Sequence, residues 1–187
     1  MSRTRHHRIP QRKRIFIGCE GESERSYAAL LQQLLGNRAE FHLVAEVLNG
    51  GDPYALLESA EKALRREHTL ARDPFVERFV ILDSDLRGRS VERDGLCIRL
   101  ARKLNIQLIW QEPCHEAVLL RHLLNCEQRR PPTTRESEEQ LRVQWPGYVK
   151  NFGRDRLSER IDKAALLRVN RHEPDLAVLL KLIKLIE

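Results

Sequence analysis

Short apolar runs alternate along this chain with stretches in which apolar residues recur every three or four positions. Arg14 to Cys19, with Ile15-Phe16-Ile17 at its centre, reads as a buried strand. Ser23 to Leu35 follows, with Tyr27, Leu30, Leu31, Leu34 and Leu35 at helical spacing. Ser23 or a neighbour caps that helix, Glu22 and Glu24 sit near its positive end, and Gly36-Asn37 stops it. Phe41 to Leu48 reads as a second strand, ending in the turn Asn49-Gly50-Gly51. Asp52 as N-cap and Pro53 at the first helical position open the next helix, whose stripe is Leu56, Leu57, Ala60, Ala63 and Leu64.

The alternation continues. Phe79 to Leu82 is the third predicted strand, Val91 to Lys103 the third helix, and Ile106 to Trp110 the fourth strand. Glu116 to Leu124 is again helical. Glu127 to Gln140 is strongly polar, contains Pro131-Pro132, and reads as an exposed loop. Lys163 to Val169 and Asp175 to Ile186 read as closing helices. The last one turns Leu176, Leu179, Leu180, Ile183 and Leu185 inward or onto a partner, such as a second copy of the chain. Strands alternating with helices of this length predict an α/β fold: a parallel sheet flanked by helices on both faces, with a C-terminal helical extension.

Two acidic clusters fall at strand ends. Cys19-Glu20-Gly21-Glu22-Ser23-Glu24 follows the first strand, and Asp83-Ser84-Asp85 follows the third. The carboxyl ends of parallel strands are where such sheets bind ligands. Carboxylates gathered there repel one another unless a hard cation neutralises them, which points to magnesium or manganese and to phosphate chemistry. If Asp83-Ser84-Asp85 is extended, both aspartates face one way, and Glu20 reaches the same crevice from the neighbouring strand. The competing reading makes the aspartates turn or cap residues and Glu22 and Glu24 ordinary first-turn acids.

Charge adds a partner class. Lys and Arg total 33 against 27 Asp and Glu, a net +6, so a polyanion is a reasonable partner. Residues 1–13 form a basic arm and 14–187 the folded domain. Within and beside that arm, Arg12, Lys13 and Arg14 are candidate nucleic-acid contacts, with a solvated tail as the alternative. No apolar run reaches the ~20 residues of a bilayer span. The start carries no apolar secretion signal, so a soluble, cytoplasmic protein is expected, with no membrane partner. The four cysteines make no C-x-x-C pair and read as buried thiols; His122 and Cys126 offer at most half of a zinc site. Trp110 and Trp145 read as core residues, with base stacking an alternative for Trp145.

Glu20-Gly21 and Asp83-Ser84-Asp85 resemble the Toprim domain of topoisomerases, primases and certain nucleases, whose pattern is Glu-Gly after one strand and Asp-x-Asp after a later one. A closer resemblance is to the RloB-like family, which includes AbiLii-type abortive-infection proteins. It rests on Cys19 to Glu24, on Glu112-Pro113-Cys114-His115-Glu116 leading to His122, and on Tyr148-Val149-Lys150. It runs from about Arg12 to the C-terminus. Ser23 stands for a threonine, His115 for an aromatic, Val118 for a tryptophan and Glu112 for an asparagine, and Leu86-Arg87 where another acid is common.

The resemblance implies a Toprim-like fold and a magnesium-dependent nuclease effector of phage defence, abortive infection or a restriction-linked locus, often beside an ATPase partner. The expected catalytic set is Glu20, Asp83, Asp85 and Lys150. Glu20, Asp83, Asp85, Glu24 and Glu116 are the expected metal ligands, and no organic cofactor is implied. A non-catalytic module binding nucleic acid, DNA or RNA, or a partner protein is the alternative.

Overall fold

The computed structural model describes residues 11–37 and 39–187; the arginines and histidines of the arm before Gln11 lie outside them. Four strands, β1 (Lys13–Cys19), β2 (Phe41–Val47), β3 (Phe75–Asp83) and β4 (Gln107–Gln111), form one sheet in the order β2-β1-β3-β4. All three pairings are parallel. Helices α1 (Glu22–Leu35), α2 (Pro53–Thr69) and α3 (Val91–Lys103) connect the strands. After β4 come α4 (His115–His122), α5 (Thr134–Gln144), α6 (Arg154–Leu157), α7 (Lys163–Val169) and α8 (Pro174–Leu182).

Strand alternation divides the core in two. Ile15, Ile17, Cys19, Phe79, Ile81 and Ile109 face a large cluster with Tyr27 and Leu31 of α1, Leu119 and Leu120 of α4, and residues of α5, α7 and α8. Phe16, Val80 and Leu82 face the smaller cluster under α2 and α3. The expected α/β sheet with helices on both faces and a helical C-terminal extension is therefore the observed one. Gly18 shows how close that second packing is. A Cβ there would stand 2.9 Å from both Leu48 Cδ1 and Val80 Cγ2. Gly18→Val is expected to overpack this face and cost about 1–3 kcal/mol, read as a lower urea midpoint; an unchanged midpoint would contradict the packing.

Two segments depart from the sequence reading for physical reasons. β3 begins at Phe75, four residues early, because Glu77 and Arg78 interrupt the apolar run while the backbone still pairs with β1. The polar segment read as a loop from Glu127 to Gln140 contains most of α5. Thr133 caps it: its Oγ1 accepts from Glu136 N at 3.2 Å and contacts Glu136 Oε1 at 3.2 Å. Ion pairs Arg135–Glu139 and Arg142–Glu138 brace its outer face, and only Ser137 and Leu141 are buried. So thin a buried face leaves little hydrophobic periodicity to detect. Of the two placements expected for the stripe on the last helix, the inward one is found: Leu176, Leu179, Leu180, Ile183 and Leu185 are all buried in the larger cluster. Among the described residues no helix is long and apolar enough to cross a membrane.

Candidate metal and phosphate site

β1 and β3 end nearly level, Cys19 being paired with Ile81. The chain leaves β1 at Glu20, turns at Gly21 and enters α1. The turn is held by Glu24, whose Oε2 accepts from Gly21 N at 2.9 Å. Glu20 folds across to β3, where its Oε2 accepts from Asp83 N at 3.1 Å. Asp83 has the parity of Phe79 and Ile81, so its side chain lies on the α1 and α4 side of the sheet. There it meets the field of Glu24 in α1 and of Glu116 in the first turn of α4.

β3 stops at Asp83, and Ser84 starts a turn closed by Arg87 N donating to Ser84 O at 3.0 Å. Asp85 is thus an exposed turn residue rather than the next in an extended segment, a correction to the sequence reading. It still acts electrostatically on both Asp83 and Glu20. Ser84 N donates to Gln111 O at 3.0 Å and to Pro113 O at 3.1 Å, fixing the turn to the exit of β4.

The far wall comes from distant sequence. Tyr148 Oη donates to Glu116 Oε1 at 3.4 Å, and Lys150 Nζ lies 3.9 Å from the same oxygen and 4.0 Å from Glu138 Oε1. Asn151 N donates to Ser23 Oγ at 3.2 Å, tying this segment to the start of α1. Behind the acids, Gln111 Nε2 lies 2.8 Å from His115 Nδ1, and both side chains are buried. Three buried atoms here have no hydrogen-bond partner among the described residues: Asp83 Oδ1, Gln111 Oε1 and His115 Nε2.

These surroundings work against negative charge. Burial, then Glu24, Glu20, Glu116 and Asp85, push the Asp83 carboxyl up to about 9 from its ordinary 3.8. Burial also raises Glu20, the Asp83 N–H partly offsetting it and Glu24 and Asp85 adding to it. Burial works against the Lys150 charge, but Glu116, Glu138 and Asp83 outweigh it and raise its pKa. An unpartnered carboxylate oxygen and surplus negative charge are the chemistry a hard divalent cation would neutralise; Asp83, Asp85 and Glu20 would be the residues to hold one, with Glu24 and Glu116 acting on the same crevice. The side chains as they stand do not enclose an ion: among the described residues no three His, Cys, Asp or Glu form a ligand group. The reason is local, since Glu20 and Glu24 are each turned onto a backbone N–H.

Other candidates lie elsewhere. Lys13 pairs with Glu40, Arg14 with Glu67, and Arg12 donates to Asn37 O at 2.6 Å. They stand at the opening of β1, seven residues and about 20 Å from its acidic end. His122 is no zinc ligand: its Nε2 contacts Tyr27 Oη at 2.9 Å and its Nδ1 contacts Val118 O at 2.8 Å. Burial pushes it down to about 3, so it stays neutral. All four cysteines are buried free thiols. Trp145 is buried against Tyr148 and Phe152, which removes it as a stacking platform. Sequence reasoning missed Gln111, Tyr148 and Asn151 as wall residues. Only the Tyr148-Val149-Lys150 block signalled that part of the chain.

Neither the curated proteins nor the solved structures gave a match. The model of the RloB-like protein family matches residues 15–176, from within β1 into α8, and takes in Glu20, Glu24, Asp83, Asp85, Glu116 and Lys150. With most of its length matched, the chain belongs to the RloB-like protein family.

Proposed function

We propose that this chain is a magnesium- or manganese-dependent phosphodiesterase acting on nucleic acid, with a Toprim-type site. The observation that carries the reading is Asp83: a carboxylate at the carboxyl end of a central parallel strand, with an unpartnered buried oxygen, facing Glu20, Glu24, Asp85 and Glu116. Asp83 and Asp85 would hold the ion, with Glu20 as a further ligand or as general acid or base. Glu24 and Glu116 are the candidates for a second ion. When bound, the ion supplies charge neutralisation and an activated water. Lys150, exposed at the rim 3.9 Å from Glu116 Oε1, would meet the negative charge that builds on the phosphate. Gln111 and His115 form the buried floor of the site behind the acids. A role as a cytoplasmic effector of phage defence or abortive infection of the AbiLii type, with an ATPase partner, rests on the family resemblance and on no residue contact.

The test is cleavage of labelled single-stranded, duplex and transfer RNA or DNA substrates with and without magnesium or manganese. Glu20→Gln is expected to lower metal-dependent cleavage about 100-fold or more while leaving the far-UV circular dichroism unchanged. Wild-type rates in Glu20→Gln would overturn the assignment. The second reading, a non-catalytic module that binds nucleic acid or a partner, is favoured by the ligand side chains not standing ready around an ion. Nucleic-acid binding without cleavage under either metal would select it.

A further inference from the structure

A second small site lies on the other face of the same sheet edge. Trp110, next to last in β4, pairs with Leu82 and turns its side chain toward α3, where it is only half-buried. Its ring lines a slot of about 220 Å³ shared with Arg87, Asp94, Cys97 and Ile98. The Arg87 guanidinium stands 4.8 Å from the Trp110 ring centroid. Arg87 belongs to the turn that carries Asp85, and that turn is pinned from α3 by Asp94, whose Oδ2 accepts from Gly88 N at 2.8 Å. Gly88 has φ 84, a left-handed conformation that glycine adopts without strain. The turn therefore holds a cationic plane over an aromatic one, two residues from a proposed metal ligand.

Those chemical features select a class of ligand. A partly exposed indole covered on one face by a guanidinium forms a cation–π pair against which a flat π-system can stack. The volume falls below the ~300–1,000 Å³ of pockets for drug-sized ligands, which suits one ring system and not a base pair. Asp94 in the wall makes a bare anion an unsuitable occupant. We infer that this slot receives one unpaired nucleobase of a single-stranded polynucleotide, stacked against the Arg87–Trp110 pair, so that the adjoining phosphate is directed toward the Asp83–Asp85 turn. The direction of that phosphate rests on the phosphodiesterase reading; the base slot itself does not.

Tryptophan emission gives a direct readout, because the chain has two tryptophans and the other, Trp145, is buried. The experiment titrates the full chain in EDTA, where no metal-dependent cleavage occurs, with labelled decamers of single-stranded DNA and RNA, following emission and anisotropy together. Emission is expected to be quenched in step with the rise in anisotropy. An abasic decamer of equal length should bind more weakly and leave emission unchanged. Trp110→Phe should bind the normal decamer without the quench, and Arg87→Ala, a surface change that spares the fold, should weaken binding about 3-fold or more. Binding with no quench, equal quenching by the abasic strand, saturation by AMP at the same concentration as by the decamer, or no binding at all would overturn the slot. Loss of the quench with metal-dependent cleavage intact would sink this inference alone. An intact quench with no cleavage under any metal would sink the phosphodiesterase reading alone.

Discussion

Asp83→Asn is expected to remove metal-dependent cleavage, by about 1,000-fold, and at the same time to make the metal-free protein more stable. The first effect follows from the loss of the proposed central ligand. The second follows from the field around it. In the folded chain the Asp83 carboxyl is pushed up to about 9, by burial first and then by Glu24, Glu20, Glu116 and Asp85. In the unfolded chain it titrates near its ordinary 3.8. Between those values the folded state keeps a proton that the unfolded state releases. Stability from this group is therefore full below about pH 4 and is lost as pH rises toward about 9. An asparagine never ionises, so the loss disappears. Near pH 8 the variant should melt higher by about 2–8 °C, corresponding to about 1–2 kcal/mol, in EDTA. Magnesium should raise the melting temperature of the wild type and have a smaller effect on the variant. Thermal scans at pH 5 and pH 8, with and without magnesium, check all of this. A wild-type protein whose stability does not fall between those pH values, or a less stable Asp83→Asn, would show that the crevice does not resist ionisation.

The other large effect lies away from the site. Arg121 in α4 is fully buried and pairs with Glu173, at the start of α8. It also donates to Glu112 O at 3.0 Å, so one guanidinium joins the exit of β4, α4 and the last helix. Arg121→Ala leaves the buried Glu173 with only Arg130, 4.0 Å away and half-exposed, and opens a cavity. A loss of about 3–5 kcal/mol is expected, a melting point lower by about 6–20 °C. Replacing both partners, Arg121→Met with Glu173→Gln, should recover much of the loss, because no uncompensated charge remains. A single Arg121→Ala change costing under about 1 kcal/mol, read from urea unfolding, would show that the pair does not carry this junction.

The fold was legible where periodicity was strong. The α3 and α7 spans predicted from the sequence are those observed, and β1, β2 and β4 differ by one residue at their ends. Asp52-Pro53 marked the start of α2, and Asp52 Oδ1 does cap it, accepting from Ala55 N at 3.0 Å. α5 was missed because its identity lies in a cap and surface ion pairs rather than in an apolar stripe. Thr133-x-x-Glu136 was the available signal. Of the site, Glu20 and Asp83 could be placed at strand ends from the runs that precede them. Gln111 could not be seen to share their edge, because a register between strands is not written in either strand alone.

Sequence alone determined the four strands and every helix but α5 and α6, the parallel sheet with helices on both faces, and the delivery of acids to two strand ends. These follow from local patterning, which each segment carries in its own residues. Only the tertiary structure decided that the two ends belong to adjacent strands, that Glu24, Glu116 and Lys150 bear on the same crevice, and that Asp85 sits in a turn. It also decided which tryptophan stays partly exposed and which is sealed in the core. The physical reason is that burial and electrostatic field depend on what packs from distant parts of the chain. A carboxylate acquires a pKa near 9 from neighbours dozens of residues away, and no reading of its own segment contains them.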